Sequence, residues 1–119
     1  MFRIISEVSP QQLTSGVTAR AVHGDRITLA YVELDAGAVL PEHAHANEQV
    51  GLVIAGSIKF RIGDETRDAH AGESWCIPSN VPHEAHAGPG GAIVVETFSP
   101  IRSDWAAFEP QEPRKTLWP

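Results

Sequence analysis

The run from Gly37 to Gly56 reads GAVLPEHAHANEQVGLVIAG. Side chains alternate between faces along an extended strand. In its second half, Val50, Leu52 and Ile54 therefore share a bulky face. Gln49, Gly51, Val53 and Ala55 share a mostly small one. A sheet curled around that small face would leave room beside Gln49 for a ligand. Read as extended chain, His43 and His45 point the same way, roughly 6–7 Å apart. Two imidazoles so placed can converge on one ion at about 2.0–2.1 Å, the zinc value. Gln49 has the same parity and offers an amide oxygen. Glu48, its rival, points to the other face. His83 follows the turn Pro78-Ser79-Asn80-Val81-Pro82 and supplies a third imidazole from a distant strand. The expected metal site is His43, His45, Gln49 and His83, holding one divalent ion. Ligand type leaves Zn, Ni, Fe, Mn and Co open.

Working outward, short apolar runs alternate with turn residues, as in a sandwich or barrel. Strands are expected at Phe2–Ile5, Val17–Val22, Ile27–Leu34, Gln49–Ala55, Ile58–Ile62, Glu65–Ala69, Trp75–Ile77 and Ala92–Phe98. Gly56-Ser57 and Gly63-Asp64 read as hairpin turns. Gln11 to Gly16 reads as irregular. The tail from Ser103 has room for one helical turn around Trp105 to Phe108, after which Pro110, Pro113 and Pro119 forbid a long helix.

With 119 residues, nine Pro and ten Gly, one turn-rich all-β domain is expected. A net charge of −6 argues against nucleic acid and anionic membrane as partners. The single cysteine, Cys76, forms no intrachain disulfide and reads as a small buried apolar residue. Met1 to Glu7 lacks the apolar stretch of a signal peptide, so a cytoplasmic location is expected. His23, His70 and His86 read as surface residues. The bulky Val50, Leu52, Ile54 face and the apolar tail (Trp105, Phe108, Trp118) suggest a homodimer.

Glycine and proline spacing frames the histidines. Gly37, His43, His45, Gln49 and Gly56 fit G-x5-H-x-H-x3-E-x6-G, with Gln for Glu. Gly72, Pro78, Asn80, His83 and Ala87 follow G-x5-P-x-G-x2-H-x3-N, with Asn for Gly and Ala for the final Asn. Together these resemble the two motifs of the cupin family. The resemblance implies an all-β, small single-domain cupin β-barrel (a double-stranded β-helix, or jelly roll) over residues 1–119. Its motifs would fill 37–56 and 72–87, and its tail 103–119.

A narrower resemblance covers roughly residues 16 to 104. His43-x-His45-x-x-Glu48-Gln49-Val50, followed by Glu96-Thr97-Phe98-Ser99-Pro100-Ile101-Arg102, is similar to the KdgF-type cupins of uronate catabolism. Enzymes of that type open the ring of unsaturated uronates to a linear keto sugar acid. Their pocket Asp, Phe and Arg fall on Glu96, Phe98 and Arg102, with Glu lengthening the acid by one methylene. The expected chemistry is that of a metal-dependent lyase or isomerase on a small sugar acid. In it Glu96 moves a proton, Arg102 with Arg61 pairs with the carboxylate, and Phe98 packs on the ring. A metal-dependent dioxygenase and a non-catalytic small-molecule-binding cupin are the alternatives.

Overall fold

The computed structural model describes all 119 residues. Eight strands form one antiparallel sheet: β1 Gln11–Thr14, β2 Val17–His23, β3 Thr28–Leu34, β4 Val39–His43, β5 Glu48–Ile62, β6 Glu65–His70, β7 Ser74–Ile77 and β8 His83–Ser99. Single 3-10 turns occupy Ile5–Glu7 and Ser103–Ala107. The pairing order is β1-β2-β3-β8-β5-β6, with β4 also on β8 and β7 also on β5. No helix is long and apolar enough to cross a membrane.

β5 and β8 are the long elements, and each serves two partners. The first half of β8 pairs with β4 and the second half of β5. Its second half pairs with β3 and the first half of β5. Gly56 does not turn the chain into a new hairpin, as its sequence suggested. It sits inside β5 at a register shift, with φ +78°, where an added Cβ would overlap the Gly91 carbonyl. Only glycine fits such a bend, so the strand curves instead of ending. Opposite it, Ile58 pairs with Ala87 and Gly56 with Ala92. β8 thus spends five residues where β5 spends two. Its inward side chains switch from His83, Ala85 and Ala87 to Ala92, Val94 and Phe98.

The core lies between the inner faces, with Val17, Val32, Val53, Ile58, Ile77 and Val94 all buried. The small face of β5 behaves differently from expectation. Gly51 leaves no open space, because the indole of Trp75 lies across it and would collide with any side chain there. Cys76, with the opposite parity on β7, is exposed and not buried. Phe2–Ile4 form no strand, while Gln11–Thr14, read as irregular, pairs with β2 across the Ser15-Gly16 turn. Backbone pairing decides there, not apolar content. The tail returns along the barrel. Gln11 bridges to Pro110, and Trp105 docks at 3% exposure against Phe98, ring centroids 5.3 Å apart. Leu117 and Trp118 stay exposed.

Candidate metal centre and cavity

His43 closes β4 and His83 opens β8, and the two are cross-strand partners with rings 4.2 Å apart. His45 is not on a strand. It lies in the loop after β4, which is pinned from two sides. Asn80 N–H donates to the His45 carbonyl at 2.8 Å, joining the loops of both motifs. Asn80 itself holds φ +64°, the left-handed backbone its type tolerates. Asn47 Nδ2 donates to the Pro100 and Ile101 carbonyls at 2.6 and 3.2 Å.

Each imidazole has its Nδ1 beside a backbone carbonyl: His43 to Pro41 at 2.8 Å, His45 to Asn47 at 2.9 Å, His83 to Val81 at 2.8 Å. A carbonyl only accepts, so each Nδ1 carries the proton and each Nε2 keeps its lone pair. The three histidines offer ligand nitrogens within 4.8 Å of one another. Burial lowers the pKa of His83 to about 4, and burial with the Arg102 charge lowers that of His45. Both are neutral at pH 7, the form that ligation requires. Two observations show that a cation fits here. His83 Nε2 is buried with no hydrogen-bond partner. Gln49 Oε1 faces His45 Nε2 at 3.1 Å, two lone-pair atoms that repel unless a positive centre lies between them. The three histidines could hold a metal ion.

Gln49 is 5% exposed and turned inward; Glu48 is exposed. The amide nitrogen of Gln49 donates to Glu96 Oε1 at 2.9 Å. Burial pushes the Glu96 carboxyl up to about 7, against the opposing pull of the Gln49 donor and the Arg102 charge. Both residues line a cavity of about 340 Å³ that also touches His43, His83, Phe98 and Arg102. Its volume suits a small molecule.

The cupin domain model matches residues 30–97, more than half of the chain. The chain belongs to the cupin family. It is 27% identical over 104 residues to the pectin degradation protein KdgF of Dickeya dadantii, covering 86% of this chain and 94% of that one. It is 39% identical over 94 residues to the H2HPP isomerase of Bacillus subtilis, covering 77% of this chain but 39% of that protein. The structure of KdgF from Halomonas sp. superposes with a TM-score of 0.81 at 28% identity, covering 87% of this chain and 96% of that one. An RmlC-like cupin from Shewanella frigidimarina gives 0.82 at 27% identity, with 87% and 94% covered.

In this cupin the Arg102 guanidinium stacks 4.8 Å from the Phe98 and Trp105 ring centroids. Asp104 grips one edge of it, Nε to Oδ1 at 3.1 Å and NH2 to Oδ2 at 3.0 Å. That grip holds the Asp104 carboxyl below its usual range. The expected helper Arg61 is elsewhere. Its parity is opposite to that of buried Phe60, and it pairs on the outer surface with Glu42 at 2.6 Å and Glu84 at 3.2 Å. His86, His23 and His70 are exposed. Sequence reasoning did not find Asp104, Asn47, or the cavity walls Leu13 and Phe108. Only Asp104 left a trace, as an acid two residues from a candidate arginine.

Proposed function

We propose that this cupin is a metal-dependent lyase or isomerase acting on a small carbonyl acid, with His43, His45, Gln49 and His83 holding one divalent ion. The observation that carries the reading is Glu96. It is an acid with one hydrogen bond, its pKa near 7, one side chain away from the metal centre. Such a carboxyl both takes and returns a proton at neutral pH. The likeness to a pectin degradation protein and to an isomerase supports the same class.

A bound divalent ion supplies Lewis acidity that polarises a substrate oxygen. Gln49 is a neutral ligand, so it leaves the ion's charge intact. Its amide nitrogen meanwhile holds Glu96 in place. Glu96 takes a proton from the carbon next to the substrate carbonyl, and the electron pair moves onto the carbonyl oxygen. The same proton is then delivered to another position of the conjugated system. A double bond shifts and no atom is lost. Arg102, with one edge held by Asp104, turns its free NH1 to the substrate carboxylate. Phe98 packs against the substrate body. Ring opening of unsaturated uronates is the reaction that the KdgF likeness supports and the first to assay; there Glu96 would take the hemiacetal hydroxyl proton, the ring C–O bond would break as the aldehyde forms, and the proton would return to the enol carbon. We place the protein in the cytoplasm as a homodimer joined through the outer face, where Val50 and Leu52 are 45% and 38% exposed.

The test is E96Q, assayed with unsaturated galacturonate and a panel of keto acids, with metal content measured alongside. Turnover should fall by about 10²–10⁴-fold while the metal stays. Retained turnover ends the proton-transfer role. Oxygen uptake by the iron-loaded protein should not exceed that of buffer; uptake that tracks substrate would favour the dioxygenase reading.

A further inference from the structure

The lining of the cavity speaks to the body of the substrate. Of its 19 lining residues 12 are hydrophobic. Its polar groups already have work. His43, His83 and Gln49 belong to the metal centre. The Glu96 carboxyl accepts from Gln49 on one oxygen, and its other oxygen is reserved for the transferred proton. Glu42 is tied to Arg61, and Asp104 holds one edge of Arg102. What remains for the substrate body is hydrocarbon: Val17, Val32, Leu34, Ile58, Val94 and Phe108. Four of these (Val17, Val32, Ile58, Val94) are no more than 3% exposed, so they form a fixed wall, not a flexible rim.

A polyhydroxylated ring placed here brings several hydroxyls and meets almost no free partner for them. Each hydroxyl that gives up water without a replacement weakens binding by roughly tenfold. An apolar ring or chain loses no such bonds and gains from leaving water. We propose that the substrate is a monocarboxylic keto or enol acid with a hydrocarbon body, not a polyhydroxylated sugar acid. This deepens the reading above and rests on its metal and carboxylate-binding groups, but not on the proton transfer.

The test compares 3-phenylpyruvate with galacturonate on the zinc-loaded full chain, by calorimetry, with the metal-free protein run alongside. Phenylpyruvate should bind at least tenfold more tightly. Galacturonate binding as tightly or more tightly overturns the proposal, and so does failure of phenylpyruvate to bind. Val94→Thr, nearly the same shape with a hydroxyl added to the wall, should weaken phenylpyruvate several-fold and leave galacturonate unchanged, with circular dichroism confirming the fold. Equal weakening of both ligands counts against an apolar subsite. Exchange of the phenylpyruvate C3 protons with deuterium, followed by NMR, separates the two readings. Tight binding without accelerated exchange leaves the substrate class standing and removes the proton transfer.

Discussion

Two acids sit on opposite faces of the same sheet, and they are held very differently. Glu33, on the outer face of β3, accepts from the Tyr31 hydroxyl and from Leu117 N–H, both at 2.7 Å, and faces Arg20 at 3.8 Å. Arg20 is 1% exposed, lies 5.9 Å from the Tyr31 ring centroid, and donates to the Arg114 carbonyl at 2.8 Å. Burial and Glu33 push the Tyr31 hydroxyl up to about 12, so it remains a donor. The C-terminal tail roofs this cluster. Glu96, on the inner face of β8, has one donor, Gln49. A buried carboxylate fixed by two short hydrogen bonds on one oxygen and a neighbouring arginine is architecture. One with a single partner is left free to exchange its proton.

Substitutions test this contrast from both sides. The largest effect expected is on rate: E96Q should lower turnover by about 10²–10⁴-fold, the usual range for removing a general acid–base group, while a denaturant midpoint shows no loss of stability at pH 7. Glu33→Ala should do the reverse. It leaves the buried Arg20 charge unpaired, and unfolding should show a loss of about 3–5 kcal/mol, with turnover per folded molecule unchanged. A pH series gives the next effect. The folded pKa of Glu96 lies above its usual 4.5, so its contribution to stability is full below pH 4.5 and is lost as pH rises through about 7. In the metal-free protein, E96Q should therefore gain on the wild type by about 2–3 kcal/mol between pH 4 and 8, read from paired urea curves. His83, with its pKa lowered to about 4, works in the opposite direction, gaining stability as pH rises from about 4 to 6.5. The wild type should look flatter than either group alone. The smallest effect is expected from Asp104→Ala, which loosens Arg102: KM should rise several-fold with kcat nearly constant. A matching fall in kcat would move Arg102 from binding into chemistry.

Much of this was legible because it is local. Strand parity separates Gln49 from Glu48 within one element. Gly37, Gly72 and Pro78 of the frames mark where the chain turns, although Gly56 does not, and the Gly63-Asp64 hairpin is where its residues say. What the sequence concealed depends on distant partners. Gly51 suggested empty space, and only the fold brings Trp75 across it. Arg61 and Arg102 look alike as surface-compatible cations, yet one faces solvent-side acids and the other stacks on two aromatic rings. Arg20 and Glu33 become a buried pair because a tail more than eighty residues away from Glu33 covers them. β1 carries almost no apolar signal; its place comes from the backbone of β2.

The irregularity of β8 between Ala87 and Ala92 reaches further than its local bend. His83 and Glu96 are thirteen positions apart, an odd number, so a uniform strand would present them to opposite faces. The Gly88-Pro89-Gly90-Gly91 stretch works as a frameshift for side chains, bringing the candidate metal-binding histidine and the acid into one chamber. Adding or losing a single residue there would exchange Glu96 and Phe98 for Val95 and Thr97 without altering either motif. Length at this unremarkable glycine-rich bend is therefore under as much chemical constraint as the identity of any histidine.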